Sequence, residues 1–164
     1  MVSVAINHVS VLATDIEEST EFYCDVLGME RIPSPNFEVP VQWLQTGSGQ
    51  VHLFERDIDV ADYYHFGVTV DDFEAVYERA VADDLFANWD DSVDGRIYRL
   101  PDDAAQLYIS DPTGNLVEVD YPNIEALDEW VLEDVVDRSE VEDQRGEAAD
   151  GTLNISKLDS DSDA

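Results

Sequence analysis

Positive charge is nearly missing from this chain. Eight lysines and arginines stand against 39 aspartates and glutamates, giving a formal charge of −31 over 164 residues, and Lys157 is the lone lysine. A surface of that sign cannot neutralise phosphates, which excludes nucleic acid as a partner. It also argues against docking on an anionic membrane. The acidic residues are spread over the helical patterns, the loops and the tail rather than clustered. That spread favours solubility in concentrated salt over a docking patch for one cationic protein. At molar salt the Debye length is about 3 Å, so the self-repulsion of such a chain is screened. The expectation is a halophilic, cytoplasmic protein.

Two further shortages narrow the class. A single cysteine, Cys24, leaves no internal disulfide to form, and its place in a helical pattern suits a small buried apolar residue. No apolar run approaches the roughly 20 residues of a spanning helix. The N-terminus lacks a basic stretch followed by an apolar block, so export is not expected. What the chain does have is core material, since 44% of its residues are apolar.

The order of patterns is strand, helix, strands, and then the same again. Ala5 to Ala13 alternates, with Val9 and Val11 on one face and Ile6, His8, Ser10 and Leu12 on the other. Thr14-Asp15-Ile16-Glu17 reads as a capping box with Thr14 at the N-cap. Ile16, Ser19, Tyr23, Val26 and Leu27 keep helical spacing up to Gly28, which is placed to end the helix. Met29 to Ile32 is a short strand. A proline-broken loop, Pro33 to Pro40, then precedes a hairpin of Val41 to Leu44 and Gln50 to Glu55 around Thr46-Gly47-Ser48-Gly49.

The pattern restarts at Tyr63 to Val70, where Tyr63, His65, Gly67 and Thr69 share one face. Asp71-Asp72-Phe73-Glu74 repeats the capping logic ahead of an apolar stripe of Phe73, Val76, Tyr77, Ala80 and Val81. Strand residues follow at Arg96 to Leu100, and a last hairpin joins Gln106 to Ile109 with Leu116 to Tyr121. Its turn is Asp111-Pro112-Thr113-Gly114-Asn115, in which proline fixes φ and glycine supplies the positive one.

His8 and Asp15 are seven positions apart, as are His65 and Asp72. The second half thus reads as a copy of the first, with an insertion near Asp90 to Asp103. The expected fold is α+β, two βαβββ modules at 1–60 and 61–122. Residues 123–138 could form one amphipathic helix through Ile124, Leu127, Val131 and Val135. The acidic tail, 139–164, is expected to be disordered.

The repeat makes His8 equivalent to His65, and His52 equivalent to Glu118. Those positions take in all three histidines of the chain, and each falls on the mixed face of its strand. Glu118 sits between apolar neighbours, where a carboxylate needs a partner to offset its desolvation. Imidazoles with a carboxylate suit one divalent metal ion, Fe, Mn, Ni, Co or Zn. Gln50 shares the face of His52 and is placed to orient it. Gln42 and Gln106 could orient a polar substrate. Trp43, Phe54, Tyr63, Tyr98 and Tyr108 are candidates to line a substrate cleft, as is Gln50.

These motifs resemble the vicinal oxygen chelate superfamily, which includes glyoxalase I, methylmalonyl-CoA epimerase, fosfomycin-resistance thiol transferases, extradiol dioxygenases and bleomycin-resistance proteins. The resemblance is carried by Asn7-His8-Val9, Phe22-Tyr23 through Leu27-Gly28-Met29, His65 with Val70-Asp71-Asp72, and Asp111-Pro112-Thr113-Gly114-Asn115 with Glu118. It implies paired βαβββ modules curled around a metal cleft, commonly in a homodimer, with His8, His65 and Glu118 as metal ligands. The position of His52 supplies a fourth ligand in the glyoxalase and epimerase branches, where it is usually Glu or Gln.

The four-ligand reading implies isomerase, lyase or epimerase chemistry on a small oxygen-chelating substrate, with Glu118 or a metal-bound hydroxide as base. The three-ligand reading implies a non-haem iron, extradiol-type dioxygenase. A third alternative is a ligand-sequestering protein of the bleomycin-resistance kind, which needs no such set of donors.

Overall fold

The structure is a computed structural model of the chain, and it describes residues 4–87 and 96–155. Two compact units divide it: Met1–Phe66 with Ser110–Leu116, and Gly67–Ile109 with Val117–Ala164. The architecture is α+β, as expected.

In the first unit, β1 (His8–Ala13), α1 (Ile16–Leu27), β2 (Glu30–Ile32), β3 (Val41–Gln45) and β4 (Gln50–Glu55) follow in order. The strands form a four-stranded sheet in the order β1-β4-β3-β2. β1 runs parallel to β4, with His8 opposite Gln50 and Ser10 opposite His52. β3 is antiparallel to β4, with Trp43 opposite His52. Alternation then sorts the faces. Val11, Ala13, Leu44, Val51 and Leu53 are buried together with Phe22, Tyr23 and Val26 of α1. His8 and Ser10 lie on the opposite, exposed face.

Helix α1 starts one residue later than the capping box suggests. Asp15 is the N-cap, and its Oδ1 accepts from the N–H groups of Glu17 and Glu18, satisfying two orphan donors of the first turn. Gly28 ends the helix at φ 65°, and its N–H returns to Cys24 and Tyr23 carbonyls.

The second repeat has the same elements: β5 (His65–Thr69), α2 (Phe73–Asp83), β6 (Ile97–Arg99), β7 (Ala105–Ser110) and β8 (Leu116–Tyr121). Asp72 caps α2 by accepting from Ala75 N–H, so the two helix caps stand at the positions that the repeat pairs. The five-stranded sheet has the order β5-β8-β7-β6-β9, where β9 is Val135–Asp137. Residues 90–95 of the inserted stretch lie outside those described.

The C-terminal segment differs from the single helix expected over 123–138. It holds a 3₁₀ turn (Ile124–Ala126), a short helix α3 (Glu129–Leu132) and a strand β9 (Val135–Asp137) that pairs parallel with β6. Ile124, Leu127 and Val131 are buried, while Val135 and Val136 alternate along an edge and satisfy a sheet better than a helix. Beyond it, α4 (Arg138–Val141) and a 3₁₀ turn (Gly146–Asp150) occupy part of the tail read as disordered, with none of their residues buried. Residues 156–164 of that tail lie outside the described ones. No helix among the described residues is long and apolar enough to cross a membrane.

Candidate functional site

The exposed face of the first sheet gathers two of the predicted donors. The rings of His8 and His52 stack with centroids 4.2 Å apart and planes 17° off parallel. On its other side His52 stacks on Trp43, again at 4.2 Å, with planes 5° apart. Lateral strand spacing of about 4.8 Å explains why rings from neighbouring strands become parallel plates. His52 Nε2–H donates to Gln50 Oε1 over 2.8 Å. His52 is buried, and its pKa is lowered by burial and then by the nearby His8.

The plates border a cavity of about 700 Å³ within the first unit, whose lining includes Asn7, His8, Phe37, Trp43, Gln50 and Phe54. Gln42 takes no part in it. Its amide is tied to the carbonyls of Ile32 and Trp43.

In the second unit, Glu118 and Asp120 share a face of β8, since they lie two residues apart. Both are buried. Tyr108 on β7 donates its hydroxyl to Glu118 Oε2 over 2.5 Å. Burial, followed by the Glu118 interaction, pushes the Tyr108 phenol above its ordinary range, so it stays a donor at neutral pH. Asp120 is pushed up to about 8 by burial first and the neighbouring Glu118 charge second. Two adjacent carboxyls out of water do not both ionise readily. Asp120 Oδ1 is buried with no hydrogen-bond partner among the described residues. Gly67 faces the pair: a Cβ there would meet Asp120 Oδ2 at 3.4 Å and Glu118 Oε1 at 3.5 Å. Glycine therefore keeps the space beside the carboxylates clear.

The remaining predicted site residues are placed as follows. His65 is exposed, and its Nδ1–H donates to Tyr63 O over 3.0 Å. Tyr63 is exposed and turns through φ 67°. Tyr98 is buried under Arg138, whose guanidinium lies 4.1 Å above its ring and also donates to Gln106 Oε1.

Taken one by one, the predicted donors are of a chemical type that suits a divalent ion. Each imidazole has one ring N–H committed to an oxygen: Asn7 Oδ1 for His8, Gln50 Oε1 for His52, Tyr63 O for His65. Outer partners of this type hold metal-ligating histidines in one tautomer. Glu118 is a buried carboxylate whose charge a cation would offset. Among the described residues, no group of three or more His, Cys, Asp or Glu side chains is arranged to hold a metal ion. The stack is one reason: ring lone pairs lie in the ring planes, so those of His8 and His52 run side by side and do not converge.

Residues 5–119 match the family model described as the glyoxalase/bleomycin resistance protein/dioxygenase superfamily. The chain belongs to that superfamily. Among solved structures it is similar to a glyoxalase family protein from Bacillus anthracis, at 22% identity and TM-score 0.58 over 75% of this chain and 98% of that one. A lactoylglutathione lyase from Agrobacterium tumefaciens is similar at 23% identity and TM-score 0.53, over 76% and 98%. The fosfomycin resistance protein FosX from Listeria monocytogenes, solved with Mn(II) and a dihydroxypropylphosphonic acid, gives 16% identity and TM-score 0.57, over 76% and 96%. At such identities the likeness is one of fold. No curated protein matches in sequence.

Sequence reasoning missed Asp120 and Asp111. Asp120 could have been found from its two-residue spacing to Glu118 in an alternating strand. Asp111 was read only as a turn residue, yet it is buried and accepts from Thr113 N–H, Asn115 N–H, the Asn115 amide and the Tyr23 hydroxyl.

Proposed function

We propose that the chain is a divalent-metal-dependent enzyme that moves a proton next to a carbonyl of a small substrate with two neighbouring oxygens. His8, His65 and Glu118 would hold the ion. His52, expected as a fourth donor, braces His8 in this reading, because its ring is fixed between Trp43 and His8 and bonded to Gln50. When bound, the ion supplies Lewis acidity toward the substrate oxygens.

The chain's own groups would divide the remaining work. Glu118 is the base, and the observation that carries this role is its setting. It is buried, Tyr108 OH fixes one of its oxygens, and the Asp120 carboxyl beside it is pushed up to about 8 by burial and by the Glu118 charge. A carboxylate held this way meets the first demand on a general base, a fixed position. Asp120 can return a proton through the same pair.

The same set of two histidines and one carboxylate, with His52 stacked away as a brace, also fits a second reading: with ferrous iron it suits dioxygen chemistry of the extradiol type.

The test is the purified protein loaded in turn with Mn, Co, Ni, Fe and Zn. It is screened with dicarbonyl adducts, acyl epimers and catechols in D₂O, under air and under nitrogen. The proposal expects metal-dependent deuterium incorporation next to a carbonyl, unaffected by oxygen. Oxygen uptake with a catechol on iron alone would replace it by the second reading. Tight ligand binding without metal and without turnover would mark a sequestering protein instead.

A further inference from the structure

The cavity on the first sheet is notable for what does not line it. In a chain with 29% charged residues, no Lys, Arg, Asp or Glu lines this cavity of about 700 Å³ among the described residues. Its walls are aromatic faces and neutral hydrogen-bonding groups, with His8 and His52 on the floor. Phe37, half exposed on the proline-broken loop, leans edge-on against Phe54 at 5.7 Å between centroids. Neighbouring strands contribute the parallel plates Trp43, His52 and His8. His8 ends the stack among the described residues; it is exposed and lines the cavity.

From this we infer that the cleft takes a flat aromatic substrate without charge. The inference rests on the proposed enzymatic reading for the site but reaches the substrate class by separate observations. Parallel plates with an open end accept a further ring in offset stacking. Amide side chains, Asn7 and Gln50 among them, supply donors and acceptors for hydroxyl or carbonyl oxygens. A carboxylate, phosphonate or thiol-peptide conjugate would lose its hydration along these walls without meeting a lysine or arginine, at a cost that neutral groups do not bear. In dilute salt the overall charge of −31 acts in the same direction, repelling anionic ligands before they reach the cleft. In substrate charge this chain is therefore inferred to depart from the lyase and the fosfomycin resistance protein whose fold it shares.

The experiment compares two probes of one shape, 2-naphthol and 2-naphthoate, by calorimetric titration of the full chain in 0.1 M and 2 M KCl. Both titrations use metal-free protein, because the carboxylate of 2-naphthoate could itself ligate a divalent ion. The expected result is binding of 2-naphthol at least tenfold tighter than 2-naphthoate. The preference should persist in 2 M KCl, where long-range repulsion is screened. Phe37→Ala should weaken 2-naphthol about tenfold and Phe37→Tyr should restore it, with unchanged far-ultraviolet circular dichroism in both. Equal or tighter binding of 2-naphthoate, or an affinity untouched by Phe37→Ala, would overturn the inference. Selective 2-naphthol binding by a protein that turns nothing over would sink the enzymatic reading alone. Metal-dependent turnover of an anionic thioester by a protein blind to 2-naphthol would sink this inference alone.

Discussion

Glu118→Gln is expected to lower metal-dependent turnover by roughly 10²–10⁴-fold and to weaken divalent metal binding at least tenfold, without loss of folding stability. Glutamine keeps an oxygen for the Tyr108 hydroxyl, so the hydrogen bond over 2.5 Å has a surviving acceptor. It removes one of two buried, adjacent carboxyls, and Asp120, now held up to about 8 largely by burial and by Glu118, loses a like charge beside it. The thermal midpoint should therefore hold or rise while chemistry is lost. A drop in activity that merely tracked a drop in stability would mean that Glu118 is a packing residue. Steady-state kinetics, metal titration and thermal melts on the same preparation separate the two.

The second large effect concerns stability. Asp111→Ala should destabilise the chain by roughly 3–5 kcal/mol, because it leaves several buried donors unpaired at once. For a chain of this size, that lowers the thermal midpoint by roughly 10 °C. Asp111 Oδ1 accepts from the N–H groups of Thr113 and Asn115, and Oδ2 from Tyr23 OH at 2.9 Å and the Asn115 amide at 2.7 Å. Asn115 in turn donates to Leu12 O, which ties the turn to β1. Asp111→Asn should cost less, since an amide oxygen still serves the backbone donors.

The pH dependence of the same site has a definite sign. Burial holds the Asp111 carboxyl above its ordinary value of 3.8, outweighing the hydrogen bonds that favour its charge. The folded state thus binds the proton more tightly than the unfolded chain does. This contribution is fully present below about pH 3.8 and is lost as pH rises through the raised folded value. Relative to Asp111→Asn, the wild-type protein should become less stable across that window. Chemical denaturation between pH 3 and 7 would show it, and a parallel pH profile for the two proteins would contradict it.

The sequence carried the strands and helices because their determinants are local. Alternation marked β1, β4 and β8, and Gly28 ended α1 where an αL residue was needed. The seven-position spacing from His8 to Asp15 recurred at His65 and Asp72 and coincided with both helix caps. Local signals failed where tertiary pairing decides. Val135 and Val136 fit an amphipathic helix as well as an edge strand, and only the neighbouring β6 selects the strand. The same holds for the site. The His8–His52–Trp43 stack depends on the order β1-β4-β3, which no residue spacing announces. Tyr23 and Asp111 meet across 88 positions, so a turn motif gave no hint of the hydroxyl it buries.

The account stands or falls on one ion shared by donors from both repeats. Manganese titration followed by electron paramagnetic resonance, with metal analysis of the dialysed protein, addresses this directly. The prediction is one tightly held ion per chain, lost in His8→Ala and in His65→Ala and retained in His52→Ala. Tight manganese binding that survives both His8→Ala and His65→Ala, or no bound ion in the unaltered protein, would contradict it.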